Sequence, residues 1–256
     1  NLLDERFLEQ PAFAVAQAKR AAVQMAEVCK QGLYDALGLF VHYDEDIAKN
    51  IIELEEKVDR YEDEIATYLM KVSTRDMAHP ESQTVSMLLH CIGDMERISD
   101  HALNVMESAK EMYEKKMDFS ESARNELKIY VESIKEIVDL SYRVFAEEDK
   151  ELAYKVEPLE ETIDKLSEEM KTRHVSRLRK GSCTIELGFV LSDLVTNLER
   201  VSDHCSNLAV CIIQIKEDGF ETHDYLDHLR DDNPYFEKKY KEYRQKYRLP
   251  ERKSDK

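Results

Sequence analysis

The chain has 256 residues, of which 42% are apolar, enough to bury a sizeable core. It contains only 6 Gly and 5 Pro, too few for the turns of a many-stranded sheet, so an all-α fold is predicted. The formal net charge of −17 argues against binding of nucleic acid or anionic lipid through a basic face, because the summed field repels phosphate groups.

Helical periodicity recurs in six long blocks that are separated by short breaks. Asp44 and Ser120 are expected to cap the second and fourth blocks, and Pro80 fits the start of the third. Pro158 falls inside the fifth block and predicts either a kink or a helix that begins near Val156. The predicted blocks cover residues 12–40, 44–72, 81–116, 121–148, 150–178 and 184–217.

An internal repeat indicates how these helices are organised. Residues 54–59 recur as 159–164, and residues 96–101 recur as 199–204, at almost the same offset. The chain is therefore predicted to be a tandem duplication of two antiparallel three-helix bundles, followed by a helical tail. The predicted domains are a linker at 1–11, repeats at 12–118 and 119–220, and a C-terminal tail at 221–256.

Each half carries two E-x-x-x-D pairs, and residues at this spacing project from one helix face. The pairs lie close to the apolar stripe, where like charges and desolvation oppose ionisation unless a cation compensates them. Neighbouring basic residues are expected to point away, so metal ions are the favoured compensation, although ordinary solvated acids remain an alternative. The candidate metal ligands are Glu55, Asp59, Glu96, Asp100, Glu160, Asp164, Glu199 and Asp203.

Other polar residues of the same segments are weaker candidates. Asn104 and Asn207 extend each carboxylate row by one turn and could add an amide oxygen, whereas the two nearby histidines at 101 and 204 favour helix packing or hydrogen bonding. Asp94 has Asn197 as its counterpart, so no role shared by both halves is expected for it. Five cysteines without a C-x-x-C pair indicate reduced thiols, and no catalytic motif is present, so the chain is not expected to be an enzyme.

Residues 94–104 and 197–204 resemble the two signature segments of the PhoU family, and the duplicated units are similar to that family over about 12–218. Residues 3–11 resemble the junction that follows the last membrane span in bacterial sodium-dependent phosphate cotransporters, whose cytoplasmic C-terminal part is similar to PhoU. This resemblance implies a regulator of phosphate uptake that binds multinuclear clusters of divalent or trivalent metal, iron or zinc, through the eight carboxylates above.

The cotransporter resemblance further implies a regulatory domain at the cytoplasmic face of the cell membrane, whose partner is the membrane-spanning part of the same polypeptide. A free-standing, PhoU-like negative regulator of phosphate uptake and signalling is the alternative. A carboxylate-bridged di-metal enzyme is a third hypothesis, although catalytic di-iron bundles normally use Glu-x-x-His. A homodimer and bound phosphate stay open, and no nucleic acid is expected.

Overall fold

The computed structural model describes residues 1–217 and 233–252, and all regular structure in those residues is helical. This confirms the predicted fold class. Seven α-helices lie in the first range and one in the second: α1 (Pro11–Gly38), α2 (Glu45–Ser73), α3 (His79–Glu114), α4 (Glu121–Glu147), the single-turn α5 (Lys150–Ala153), α6 (Val156–Arg179), α7 (Ile185–Glu217) and α8 (Pro234–Lys246).

The ends of the helices follow local sequence signals. Asp44 accepts hydrogen bonds from the N–H groups of the first turn of α2, and Ser120 Oγ accepts from the N–H of Ala123 at 3.2 Å. Helix α6 begins at Val156, so Pro158 lies in its first turn, where no intrahelical N–H bond is lost. The turn before α7 contains Gly181 with φ +72°, a conformation that favours glycine.

Helices α1, α2 and α3 form the first bundle, and α4, α6 and α7 form the second. In the second bundle, the buried Tyr130 of α4 joins all three helices. Its hydroxyl lies 2.7 Å from Ser167 Oγ on α6 and donates to the carbonyl of Val195 on α7 at 3.3 Å. The buried hydroxyl of Tyr130 is therefore paired, as burial requires.

The two bundles share one continuous core. Helix α3 packs along α7, and α1 contacts α4. Tyr34 donates to the carbonyl of Lys135 at 2.9 Å, and Lys19 Nζ donates to the carbonyl of Phe145 at 2.6 Å, so α1 is hydrogen-bonded directly to α4. The halves thus behave as one packed unit.

The segments at either end lie against the bundles. The residues predicted as a linker contain a short 3-10 helix (Glu5–Glu9), and Tyr68 of α2 donates to the carbonyl of Asp4 at 3.0 Å. In the predicted helical tail, α8 packs on α6. The rest of that tail, at 221–232 and 253–256, lies outside the described residues.

Candidate metal centre

The first half brings three of the predicted ligands together. Glu55 and Asp59 lie one turn apart on α2, and Asp100 lies on the facing side of α3. One carboxylate oxygen from each of these half-buried residues lies within 4.8 Å of the other two. In addition, Asp59 Oδ1 is buried and has no hydrogen-bond partner. We call this set the first triad.

The second half repeats the arrangement. Glu160 and Asp164 on α6 and Asp203 on α7 form the second triad, with the same spacing of 4.8 Å or less between oxygens. The degree of burial differs, because Glu160 is only 6% exposed whereas Asp203 is exposed. The two halves therefore share the same arrangement of three carboxylate oxygens, but in the second triad Glu160 is buried more deeply than any member of the first.

Each triad contains carboxyl groups whose pKa is raised by burial. Burial, together with the neighbouring Glu157 and Asp164 carboxylates, raises the pKa of Glu160 to about 11. Burial likewise raises the pKa of Glu55 to about 7, and its hydrogen bond to Asp59 adds to the shift. The pKa of Asp164 rises to about 6, again chiefly through burial. A cation between these carboxylates would remove the penalty.

The two remaining predicted ligands lie beside the triads and differ from each other. Glu96 is next to Asp100, and burial followed by the hydrogen bond to Asp100 raises the pKa of Glu96 to about 8. Glu199 is instead paired with a protein cation, since Lys171 Nζ donates to Glu199 Oε2 at 3.2 Å. The structure thus assembles six of the eight carboxylates into triads and leaves two at their edges.

Basic side chains adjacent in sequence do not fill the triads. Lys57, Arg97 and Arg200 are all exposed, in agreement with the prediction that they point away from the carboxylate rows. Oxygen ligands of one metal ion lie about 2.0–2.6 Å from it and hence about 3–5 Å from each other. The oxygen spacing and the unpartnered Asp59 Oδ1 both fit such an ion.

A polar seam between α3 and α7 was not predicted. His204 Nδ1 donates to Asp94 Oδ1 at 3.0 Å, and Asn207 Nδ2 donates to the same oxygen at 3.2 Å. In the mirrored contact, Asn197 Oδ1 accepts from the histidine at 101 (2.8 Å) and the asparagine at 104 (3.2 Å). We call these six residues the seam.

The seam corrects one expectation. Asp94 and Asn197 do have a shared role, since each accepts from the histidine and the asparagine of the other half. The expectation failed because the two side chains differ in charge while offering the same Oδ1 acceptor. Asn104 and Asn207 direct their amide nitrogens across the seam, toward the acceptor of the other half. Both histidines serve in hydrogen bonding, as predicted.

Relatives with established names match most of this chain. It is 27% identical to the phosphate-specific transport system accessory protein PhoU homolog 1 of Thermotoga maritima, over 75% of this chain and 83% of the relative. It is 22% identical to the corresponding PhoU homolog of Pseudomonas aeruginosa, over 75% of this chain and 78% of that protein.

Solved structures share the fold at lower identity. The crystal structure of PhoU from Pseudomonas aeruginosa superposes with a TM-score of 0.74 at 20% identity, covering 80% of this chain and 97% of that one. The structure of the phosphate transport system regulatory protein PhoU from Streptococcus pneumoniae gives a TM-score of 0.72 at 14% identity, with 83% and 99% covered.

These matches contradict the predicted membrane-spanning transporter part. The relatives are accessory proteins that this chain covers over most of their length, and no match supports sodium symport. Within residues 1–217 and 233–252, every helix is too short or too polar to cross a bilayer. Tyr68 of α2 contacts residues 3–11, which resemble a cotransporter junction, at the carbonyl of Asp4.

A match to a protein-family model covers most of this chain. The family model of the PhoU domain matches residues 22–109 and 127–212, one copy in each bundle. Each copy contains one complete triad. Because the two copies together cover more than half of the sequence, the chain belongs to the PhoU family.

Proposed function

We propose that this protein is a free-standing, PhoU-like regulator of phosphate uptake and signalling that acts in the cytoplasm and binds metal through its two triads. Family membership and relatives named as accessory proteins of phosphate-specific transport support the regulatory role. An accessory role also agrees with the absence of catalytic motifs from the sequence. The observation that carries the metal-binding part is the pair of matching triads.

Iron is the favoured metal of the two that the sequence suggests. All six triad donors are carboxylate oxygens, whereas zinc sites in proteins usually include nitrogen or sulfur ligands. Helical bundles that bind iron through bridging carboxylates provide a chemical precedent for donors from facing helices. Glu96 lies close enough to Asp100 to join a second ion, which is the basis for proposing a multinuclear cluster.

The residues of each triad connect two helices. In the first half they would hold α2 to α3, and in the second half α6 to α7. A bound ion supplies positive charge that would favour the ionised form of these carboxylates. Its preference for the folded state would stabilise both helix pairs, and metal occupancy would thereby set how rigid the regulator is.

Elemental analysis of protein purified without chelators tests the metal-binding part. We expect more than one equivalent of transition metal per chain, and loss of most of it in the double variant Asp100→Asn, Asp203→Asn. The matched control is Asp63→Asn, Asp193→Asn, which changes exposed acids of α2 and α7 outside the triads. Background metal in the wild type, or equal metal in both double variants, would contradict the proposal.

Phosphate uptake in a bacterial host that lacks its own PhoU-type regulator tests the regulatory part. We expect the wild-type chain to restore repression of uptake in phosphate-rich medium. The control double variant should restore it equally, whereas the triad double variant should not. If the wild-type protein does not change phosphate uptake, the regulatory role is rejected. Metal binding is tested separately, by the elemental analysis.

A further inference from the structure

A polar cavity in the second half of the chain shares no residue with the triads. It is formed where the start of α4, the C-terminal half of α6 and residues 250–252 meet, and its volume is about 610 Å³. Four of the side chains that line it are basic, in a chain whose net charge is strongly negative. These are Arg173, Arg177, Lys180 and Arg252.

The two arginines of this cavity are held in place by a buried acid. The Glu126 side chain is 3% exposed, and Arg177 Nη1 donates to its two oxygens at 3.0 and 3.2 Å. Arg173 Nη1 lies 3.4 Å from Glu126 and also donates to the carbonyl of Pro250 at 2.6 Å, while its Nη2 donates to Glu169 at 2.9 Å. Both guanidinium groups are therefore positioned before any ligand arrives.

The charges of the two arginines are matched by two acids. Glu126 pairs with both arginines, and Glu169 pairs with Arg173. The remaining charged groups that line the cavity are all exposed and hence screened by solvent: Lys180, Arg252, Glu121 and Glu251. The case for an anion therefore depends on the hydrogen-bond donors of the cavity.

Hydrogen-bond donors line the cavity. Arg177 Nη2 is buried and has no hydrogen-bond partner. Hydroxyl groups of Ser122, Ser176 and Ser182 line the same cavity. At the start of α4, Ser120 caps the N–H of Ala123, whereas the N–H groups of Glu121 and Ser122 lack acceptors within the helix. Guanidinium groups, hydroxyls and free N–H groups are together the donors that bind tetrahedral oxyanions.

We propose that this cavity binds a phosphate-class oxyanion, as inorganic phosphate or as the phosphoryl group of a small metabolite. Its volume lies within the range of about 300–1,000 Å³ that is usual for small-molecule sites, so it has room for more than the anion alone. The proposal depends on the cavity and not on the triads or on a role in phosphate uptake.

Calorimetric titration of the protein as purified tests the proposal, with inorganic phosphate and glucose 6-phosphate as probes and chloride as the control anion. We expect saturable binding of at least one of the two phosphates, with the tighter one identifying the source of the oxyanion. Arg177→Gln should weaken that binding about tenfold or more, because it removes a charged donor. Arg179→Gln is the matched control, since Arg179 is an exposed neighbour outside the cavity.

Ser122→Asp is a second test variant, which keeps the proposal testable if Arg177→Gln does not fold. An acidic residue in the first turn of α4 is favourable to the helix, yet it adds negative charge to the cavity. We expect a folded protein that no longer binds either phosphate. The proposal is overturned if neither phosphate binds the wild type, if Arg179→Gln weakens binding as much as Arg177→Gln, or if Ser122→Asp binds as tightly as the wild type.

Discussion

Substitutions at Asp94 should separate the role of its oxygen from the role of its charge. In Asp94→Ala, the donors of His204 and Asn207 lose their common acceptor at the seam. Hydrogen bonds to charged groups contribute about 1.5–3 kcal/mol each, but Asn207 is exposed and can turn to water, so we expect a total loss of about 2–3 kcal/mol. Asp94→Asn keeps the Oδ1 acceptor and should cost less than about 1 kcal/mol, because Asn197 already fills the mirrored position.

Urea unfolding followed by circular dichroism measures this difference, with all variants compared at one pH and one metal content. Asn197→Ala provides the matched control in the other half and should cost about 1–2 kcal/mol, since a neutral acceptor is lost. The reasoning would be refuted if Asp94→Asn destabilised the protein as much as Asp94→Ala. It would be refuted equally if Asp94→Ala unfolded at the wild-type urea concentration.

Three further predictions concern stability. Gly188→Ala should lower the free energy of unfolding in urea by about 1–3 kcal/mol, because a Cβ there would lie 2.5 Å from His174 Nε2. Combining it with His174→Ala should remove most of that loss. Burial lowers the pKa of His174, and both of its ring nitrogens are unpartnered. Its contribution to stability is therefore present above the unfolded pKa of about 6.5 and is lost as the pH falls. His174→Gln should flatten the measured dependence of Tm on pH below that value. Lys19→Met should lower the free energy of unfolding by about 1–2 kcal/mol, because Lys19 Nζ no longer donates to the carbonyl of Phe145, and a loss below about 0.3 kcal/mol would contradict this.

The helices could be predicted well because their signals are local. The apolar period, the caps at Asp44 and Ser120, and the start of α6 near Val156 each depend on a few neighbouring residues. The pairing of helices within each bundle also followed from the sequence, because the duplication limits how six helices can be arranged. The fold class needed no information about long-range contacts.

The site could be predicted only in part because it depends on the register between helices. Helical spacing shows that Glu96 and Glu199 face inward with the other acids, but not that Lys171 of α6 reaches Glu199. The cavity at the start of α4 was missed for a related reason. Its residues come from three distant segments, so no local pattern joins Arg177 to Arg252. Contacts of this kind appear only once the chain is folded.

The seam and the triads are connected because they share two helices. Asp94 and Asp100 both lie on α3, and Asn197 and Asp203 both lie on α7, six residues apart in each case, or about 9 Å along the helix. An α-helix transmits a rotation over that distance with little internal deformation, so a shift of either aspartate toward a metal ion would also move the seam acceptor on the same helix. Because each acceptor pairs with donors from the other half, such a shift at one triad would reach the other through the α3–α7 contact rather than through either bundle alone.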